Sequence, residues 1–343
     1  MKNLWKILLG LTFCAVATVY VGHDHTACEG FLPENDARVP INKNKSLNNE
    51  GGLSKEITDK VIKVVGDIYK PIVKKRYGGD LRINNNWKDD RVNAFAKRPF
   101  FTKIYQVEVW GGLARHKETT VDGLITVLCH ELGHHIGGSP KNTFFLNRWA
   151  SVEGQSDYWA TAKCTKRVYA EFDNVALLKK RYSKFKNKKL SKRRRIKNYL
   201  NTTAAQACNS VYDGMDERAL CLRSAMGGYS TARLLASISK KELPEFETPS
   251  KSKVAKTIST HPEPQCRLDT YLRGALCDLS MDDVVSQSNP NKNLCNRFKT
   301  NNGNQAGVRT RCWYKPSDSV QRVSNLSEEV MFKKAQGRER VIH

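Results

Sequence analysis

Apolar and polar positions alternate along this chain in blocks whose spacing changes from one segment to the next. Behind Met1-Lys2-Asn3-Leu4-Trp5-Lys6, the run from Ile7 to Val21 is almost continuously apolar, and Ala15-Val16-Ala17 supplies an A-x-A site. That pattern predicts a secretory signal over residues 1–22. The run is shorter than the ~20 apolar residues that span a bilayer comfortably, and no later run is long enough to span one. The expectation is an exported protein, periplasmic or secreted, with no integral membrane domain in its mature chain. Residues 23–52 are polar, with Pro33, Pro40 and the stretch INKNKSLNNEGG, and predict a linker. Structure is then expected to begin at Leu53. Ser54 can cap a helix in which Ile57, Val61, Val64, Val65, Ile68 and Ile72 recur at helical spacing, with a stop at Gly78-Gly79.

Short β-type runs follow at Leu81 to Ile83, Val92 to Ala96 and Ile104 to Val109, separated by polar turns, and predict a small antiparallel or mixed sheet. Thr119-Thr120-Val121-Asp122 resembles a helix cap; Leu124, Ile125, Val127 and Leu128 continue the helix, and Gly137-Gly138 end it. A second helix is expected from about Ala150 to Tyr169, with further helical segments around Ala204 to Ser237. Prolines break the chain from Leu243 to Pro264, and residues 317–343 read as a polar tail. The fold class is α+β, mainly helical, with a small sheet beside the helix that starts at Thr120.

Charge changes the picture in one place. The formal net charge is +24, and the block Lys179 to Lys197 holds 12 Lys or Arg and no acid. Such a block is either a solvated face or a binding surface for anions such as lipopolysaccharide, phospholipid headgroups or nucleic acid. Tyr182, Phe185 and Tyr199 are too few to stack bases, which argues against nucleic acid. Nine cysteines lie beyond the signal, a density that suits an oxidising compartment. The odd count leaves one unpaired, and Cys28 is the candidate. A helix from Arg267 through Leu276 would set Cys266 and Cys277 about 16 Å apart at 1.5 Å per residue. A disulfide needs Cα atoms within about 7 Å, so these two cannot pair with each other. Each is expected to bond to the later Cys295 and Cys312 instead, within a disulfide-rich stretch 266–312. Cys208 and Cys221 form a plausible local pair, and Cys129 and Cys164 either pair or stay buried.

The candidate chemistry lies in Cys129-His130-Glu131-Leu132-Gly133-His134-His135. On a helix, His130 and His134 share a face and can both reach one Zn²⁺ at about 2.0–2.1 Å, with Glu131 beside them as general base. A catalytic zinc needs a third protein ligand, and Glu153 in Glu153-Gly154-Gln155-Ser156-Asp157 can supply it. Asp157, one turn later, can accept the free N–H of a liganding histidine. The competing readings are two ordinary histidines on a helix and a solvated acidic pair capping another. His135 is one residue out of register and is read as packing or support.

HExxH followed by ExxxD is the gluzincin pattern, and in that group the chain resembles the family of CAAX prenyl endopeptidases, the membrane peptidase HtpX and their periplasmic relatives. Asn93-Ala94-Phe95-Ala96 matches that family's edge strand, and Trp110-Gly111-Gly112-Leu113 resembles its strand end. Ser259-Thr260-His261-Pro262 with Arg267 matches its STHPxxxxR signature. The resemblance covers roughly Leu53 to Leu276. It implies a zincin-like domain, here residues 53–316 with the basic insertion 179–197, holding one Zn²⁺ and acting on a protein or peptide substrate. It further implies that His261 serves the oxyanion, with Arg267 assisting or orienting it, and that Asn93, Ala94, Phe95 and Ala96 pair with an extended substrate, giving endopeptidase geometry. His261 could otherwise cap the chain before Pro262, or ligate the metal in a plugged resting state. The basic block and the cysteines from Cys266 to Cys312 lie outside the resemblance. The function classes that compete with a peptidase are an anionic-surface binder acting through the basic block and a zinc-retaining scaffold or chaperone.

Overall fold

Ser54 starts the first helix, its hydroxyl accepting the amide of Ile57, and α1 (Lys55–Tyr77) closes on Gly78. Its apolar stripe buries Val61, Val65, Tyr69 and Val73. The computed structural model describes residues 30–41, 52–99, 101–143, 148–186, 202–296 and 305–316. The expected signal, Cys28, the polar tail and the basic block beyond residue 186 lie outside these.

Three strands follow: β1 (Asp80–Asn86), β2 (Ala94–Lys97) and β3 (Ile104–Trp110). They form one mixed sheet in the order β1-β3-β2, with β1 parallel and β2 antiparallel to β3. Ala94, Phe95 and Ala96 of the expected stretch lie in β2, the last strand of this order, with Ala94 and Ala96 buried, and Asn93 precedes it. From β3 the chain turns into α2 (Gly111–Arg115), where Arg115 donates to the carbonyls of Val39, Trp87 and Asp89 and pins three loops together.

Thr120 caps α3 (Val121–Ile136) by accepting the Gly123 amide. Every residue from Asp122 to Ile136 is buried, so α3 is the central helix of the molecule. The apolar run of its first half, Leu124 to Cys129 broken only by Thr126, fits a helix covered on all sides, and the buried His130, Glu131, His134 and His135 follow in its second half. The expected second helix runs as α4 (Glu153–Trp159), a π-helical turn (Ala160–Cys164) and α5 (Thr165–Tyr169). Then come α6 (Asn174–Lys186), α7 (Thr202–Val211), α8 (Met215–Ile238) and, after the proline-broken segment, α9 (Pro264–Ala275). The α+β class with a small sheet is as expected, and helix outweighs strand among the described residues. Among the described residues, no helix is long and apolar enough to cross a membrane.

Among the described residues, four disulfides join Cys129 to Cys164, Cys208 to Cys221, Cys266 to Cys312 and Cys277 to Cys295. Cys266 in the first turn of α9 and Cys277 just past its end each bond to a later segment and not to each other, as expected.

One expectation is corrected. Structure does not begin at Leu53: Phe31 and Leu32 are buried in the main core, Arg38 bridges Arg91, and the Val39 amide bonds the Asp90 carbonyl. This piece of the expected linker lacks helical or strand periodicity because main-chain pairing with a distant segment, rather than an amphipathic face, holds it in place.

Candidate metal centre

His130 and His134 stand one turn apart on α3, so both rings leave the helix on one side, and their Nε2 atoms come within 3.1 Å. Each ring is held from behind. His130 Nδ1 lies 2.7 Å from Asp157 Oδ1, and His134 Nδ1 donates to the Ser151 carbonyl at 2.8 Å. With the Nδ1 positions serving as donors, the Nε2 positions are the ones that face a ligand. Glu153, the first residue of α4, places its carboxylate oxygens 3.3 Å from His130 Nε2 and 3.4 Å from His134 Nε2. Close approach of the two helices depends on Gly133: a Cβ there would stand 3.0 Å from the Ser156 Cα.

The ligand atoms of His130, His134 and Glu153 all lie within 4.8 Å of one another, and all three residues are buried. Two imidazole nitrogens and a carboxylate converging in a buried cluster are acceptors facing acceptors, unless a proton or a cation lies between them. Glu153 Oε2 has no hydrogen-bond partner, as a ligand atom would not. The residues present therefore fit a metal ion.

The charges of the bare cluster agree. Burial works against a charged His130, yet Asp157 and Glu153 lift it to about 9. Burial lowers His134 to about 4, Glu153 only partly opposing it. Burial would raise Glu153, but His261, His134 and His130 hold it well below the usual carboxylate range. Asp157 is treated in the same way, with Arg267 and His130 overcoming its burial and lowering it. A cation and a proton compete for the same ligand atoms here. Glu131, next to His130, is fully buried; burial pushes it up to about 7, and neither of its carboxylate oxygens has a hydrogen-bond partner.

The remaining residues singled out in the sequence also gather here. His261, in the coil ahead of α9, brings Nε2 to 3.5 Å from Glu153 Oε2. Arg267 reaches the cluster through Asp157, donating from Nε to Oδ2 and from Nη2 to Oδ1, each at 2.7 Å. What it visibly orients is the Asp157 and His130 pair. Along the edge, the Asn93 side chain bonds the main chain of Leu32 and the Ala94 carbonyl accepts the Phe31 amide. Phe95 packs against Trp110 with ring centroids 4.6 Å apart, and Ala96 is buried. His135 points elsewhere, bonding the Gln106 carbonyl and stacking on Trp149.

Sequence reasoning missed Tyr271 and Phe31. Tyr271 donates to Asp157 and lies one turn beyond Arg267, so its i+4 spacing was a usable signal. Phe31 packs edge-on to His130 with ring centroids 5.2 Å apart and gave none. Comparison with protein-family models, curated proteins and solved structures finds no match for this chain.

Proposed function

We propose that this chain is a zinc-dependent endopeptidase with a zincin-like domain, in which His130, His134 and Glu153 hold one Zn²⁺ and Glu131 is the general base. The observation that carries the reading is Glu131 itself, a buried carboxylate with no partner, next to a convergent His, His and Glu cluster. A structural acid would not be left bare. The motif resemblance and the edge strand beside the cluster give further support.

When bound, Zn²⁺ supplies Lewis acidity and draws the pKa of water towards ~7. Glu131, the unpartnered carboxylate beside His130, takes a proton from that water and passes it to the departing amine. His261 donates from Nε2 to the oxygen that gains charge. Asp157, clamped by Arg267 and Tyr271, fixes the His130 ring. The edge of β2, which already pairs with the chain's own Phe31 through the Ala94 carbonyl, is of the kind that takes an extended substrate through its main chain. The four disulfides fit an exported enzyme.

The test is metal analysis of purified protein together with casein hydrolysis. The expected result is about one zinc per chain and activity that chelator removes and zinc restores. Hydrolysis indifferent to chelator, or protein that takes up no zinc, would overturn the proposal.

A further inference from the structure

Gly30, Phe31 and Leu32 lie along the metal cluster, and their main-chain groups are held by the residues that the peptidase reading gives to substrate. The Gly30 carbonyl accepts from His261 Nε2 at 2.8 Å, the same nitrogen that is 3.5 Å from Glu153 Oε2. The Phe31 amide donates to the Ala94 carbonyl at 2.9 Å, and its carbonyl accepts from Arg267 Nη1 at 2.8 Å. The Leu32 amide donates to Asn93 Oδ1, and its carbonyl accepts from Asn93 Nδ2, both at 2.9 Å. The Phe31 ring is fully buried between His130 and the Arg267 guanidinium, whose Cζ lies 4.6 Å from the ring centroid. Beyond Leu32 the chain continues antiparallel to the segment leading into β2, through Arg38 against Arg91.

A peptide laid antiparallel on a sheet edge, with one side chain sunk in a closed pocket, is how a groove of this kind holds substrate. We propose that the chain's own Gly30–Phe31 bond is a substrate of this site, an inference that rests on the peptidase reading. The register follows from the hydrogen bonds: the oxyanion donor His261 holds the Gly30 oxygen, while the next carbonyl is taken by Arg267. Water adds to the Gly30 carbonyl carbon and the bond to the Phe31 nitrogen breaks. The proton accepted by Glu131 goes to that nitrogen, leaving a Gly30 carboxylate and a new amino terminus at Phe31. The same contacts set the preference of the groove. A Cβ on Gly30 would lie 2.7 Å from the Phe95 ring and 2.8 Å from the Asn93 amide, so glycine precedes the cut. The Phe31 pocket selects a large aromatic residue after it.

The experiment uses the full chain as wild type, Glu131→Gln and Gly30→Val, reading amino termini by intact mass and terminal sequencing, with casein hydrolysis in parallel. Wild type should begin at Phe31, Glu131→Gln should extend upstream of it, and Gly30→Val should slow the cut about 100-fold by misplacing the bond. A second readout needs neither metal nor turnover. In metal-free Glu131→Gln, the Phe31 and Leu32 amides should exchange slowly with solvent, and Asn93→Ala should free the Leu32 amide. Wild type that hydrolyses casein but keeps its Gly30–Phe31 bond overturns self-cleavage and leaves the peptidase reading standing. Protein that binds zinc and cuts neither overturns both. Fast exchange at both amides in Glu131→Gln overturns the docking from which the register was read.

Discussion

Asp157 and Glu131 are equally buried carboxylates on neighbouring helices, and the fold treats them in opposite ways. Asp157 is surrounded by donors from two other elements: His130 on α3, and Arg267 and Tyr271 on α9. Glu131 has none, and burial raises its pKa where Asp157 is lowered. A saturated carboxylate ties elements together and stays ionised, whereas a bare one is held against folding stability, at a cost of about 1–3 kcal/mol or more. Folds keep such a group where reactivity needs it.

The largest effect that tests this contrast comes from the bare member. Glu131→Gln keeps the shape of the pocket and all three candidate ligands, so zinc content should be unchanged while turnover falls by about 10²–10⁴. A rate equal to wild type would return Glu131 to the structural residues. Next comes the clamp. Arg267→Met removes the counter-charge of a buried Asp157 and should destabilise the protein by about 3–5 kcal/mol, read from urea unfolding. A loss under about 1 kcal/mol would mean that Tyr271 and His130 suffice to hold the carboxylate.

The two halves of the contrast were not equally visible in the sequence. HExxH, Glu153 and Asp157 could be read because helical spacing is local: a four-residue interval puts His130 beside His134, and another puts Asp157 one turn past Glu153. Caps at Ser54 and Thr120 marked helix starts for the same reason. The lengths of helices also limited the cysteine pairings around α9. Saturation and bareness were not legible, because they depend on groups far apart in sequence; the Arg267 to Asp157 bond spans 110 positions. The docking of Phe31 and Leu32 was hidden in the same way, since the Leu32 amide bonds Asn93 across 61 positions and its neighbours are polar. A π-helical turn inside the second helix left no mark that apolar spacing could reveal.

A smaller effect sharpens the contrast from the saturated side. Asp157→Asn can still bond His130 but loses the charge that Arg267 neutralises. Zinc affinity should fall by about 10–100-fold without loss of a ligand, measured by competition with a chelator. An unchanged affinity would detach Asp157 from the metal and leave it as structural glue between helices.

The smallest effect concerns cations, among which the same contrast recurs. Arg267 is buried against Asp157, whose charge overcomes the burial and raises the guanidinium further. Lys166 is buried as well, but its Nζ donates to two neutral acceptors, the Cys277 carbonyl at 2.6 Å and the Tyr212 hydroxyl at 2.8 Å. Burial, with some help from Lys163, therefore lowers it from 10.5 to about 7. The sign of the pH dependence follows. Below pH 7 both folded and unfolded chains carry this proton, and the folded state bears the full penalty of a buried ammonium. Between about 7 and 10.5 the unfolded chain keeps a proton that the folded chain has released, so stability on account of Lys166 rises with pH. Over pH 6 to 9 that gain amounts to about 2.7 kcal/mol, at 1.36 kcal/mol for each of the two units above the folded pKa. Lys166→Met has no proton to release, so the difference in urea midpoint between wild type and variant should shift in favour of wild type as pH rises. A difference that stays constant from pH 6 to 9 would mean that Lys166 stays charged in the folded protein, and that two neutral acceptors hold a buried ammonium as well as Asp157 holds Arg267.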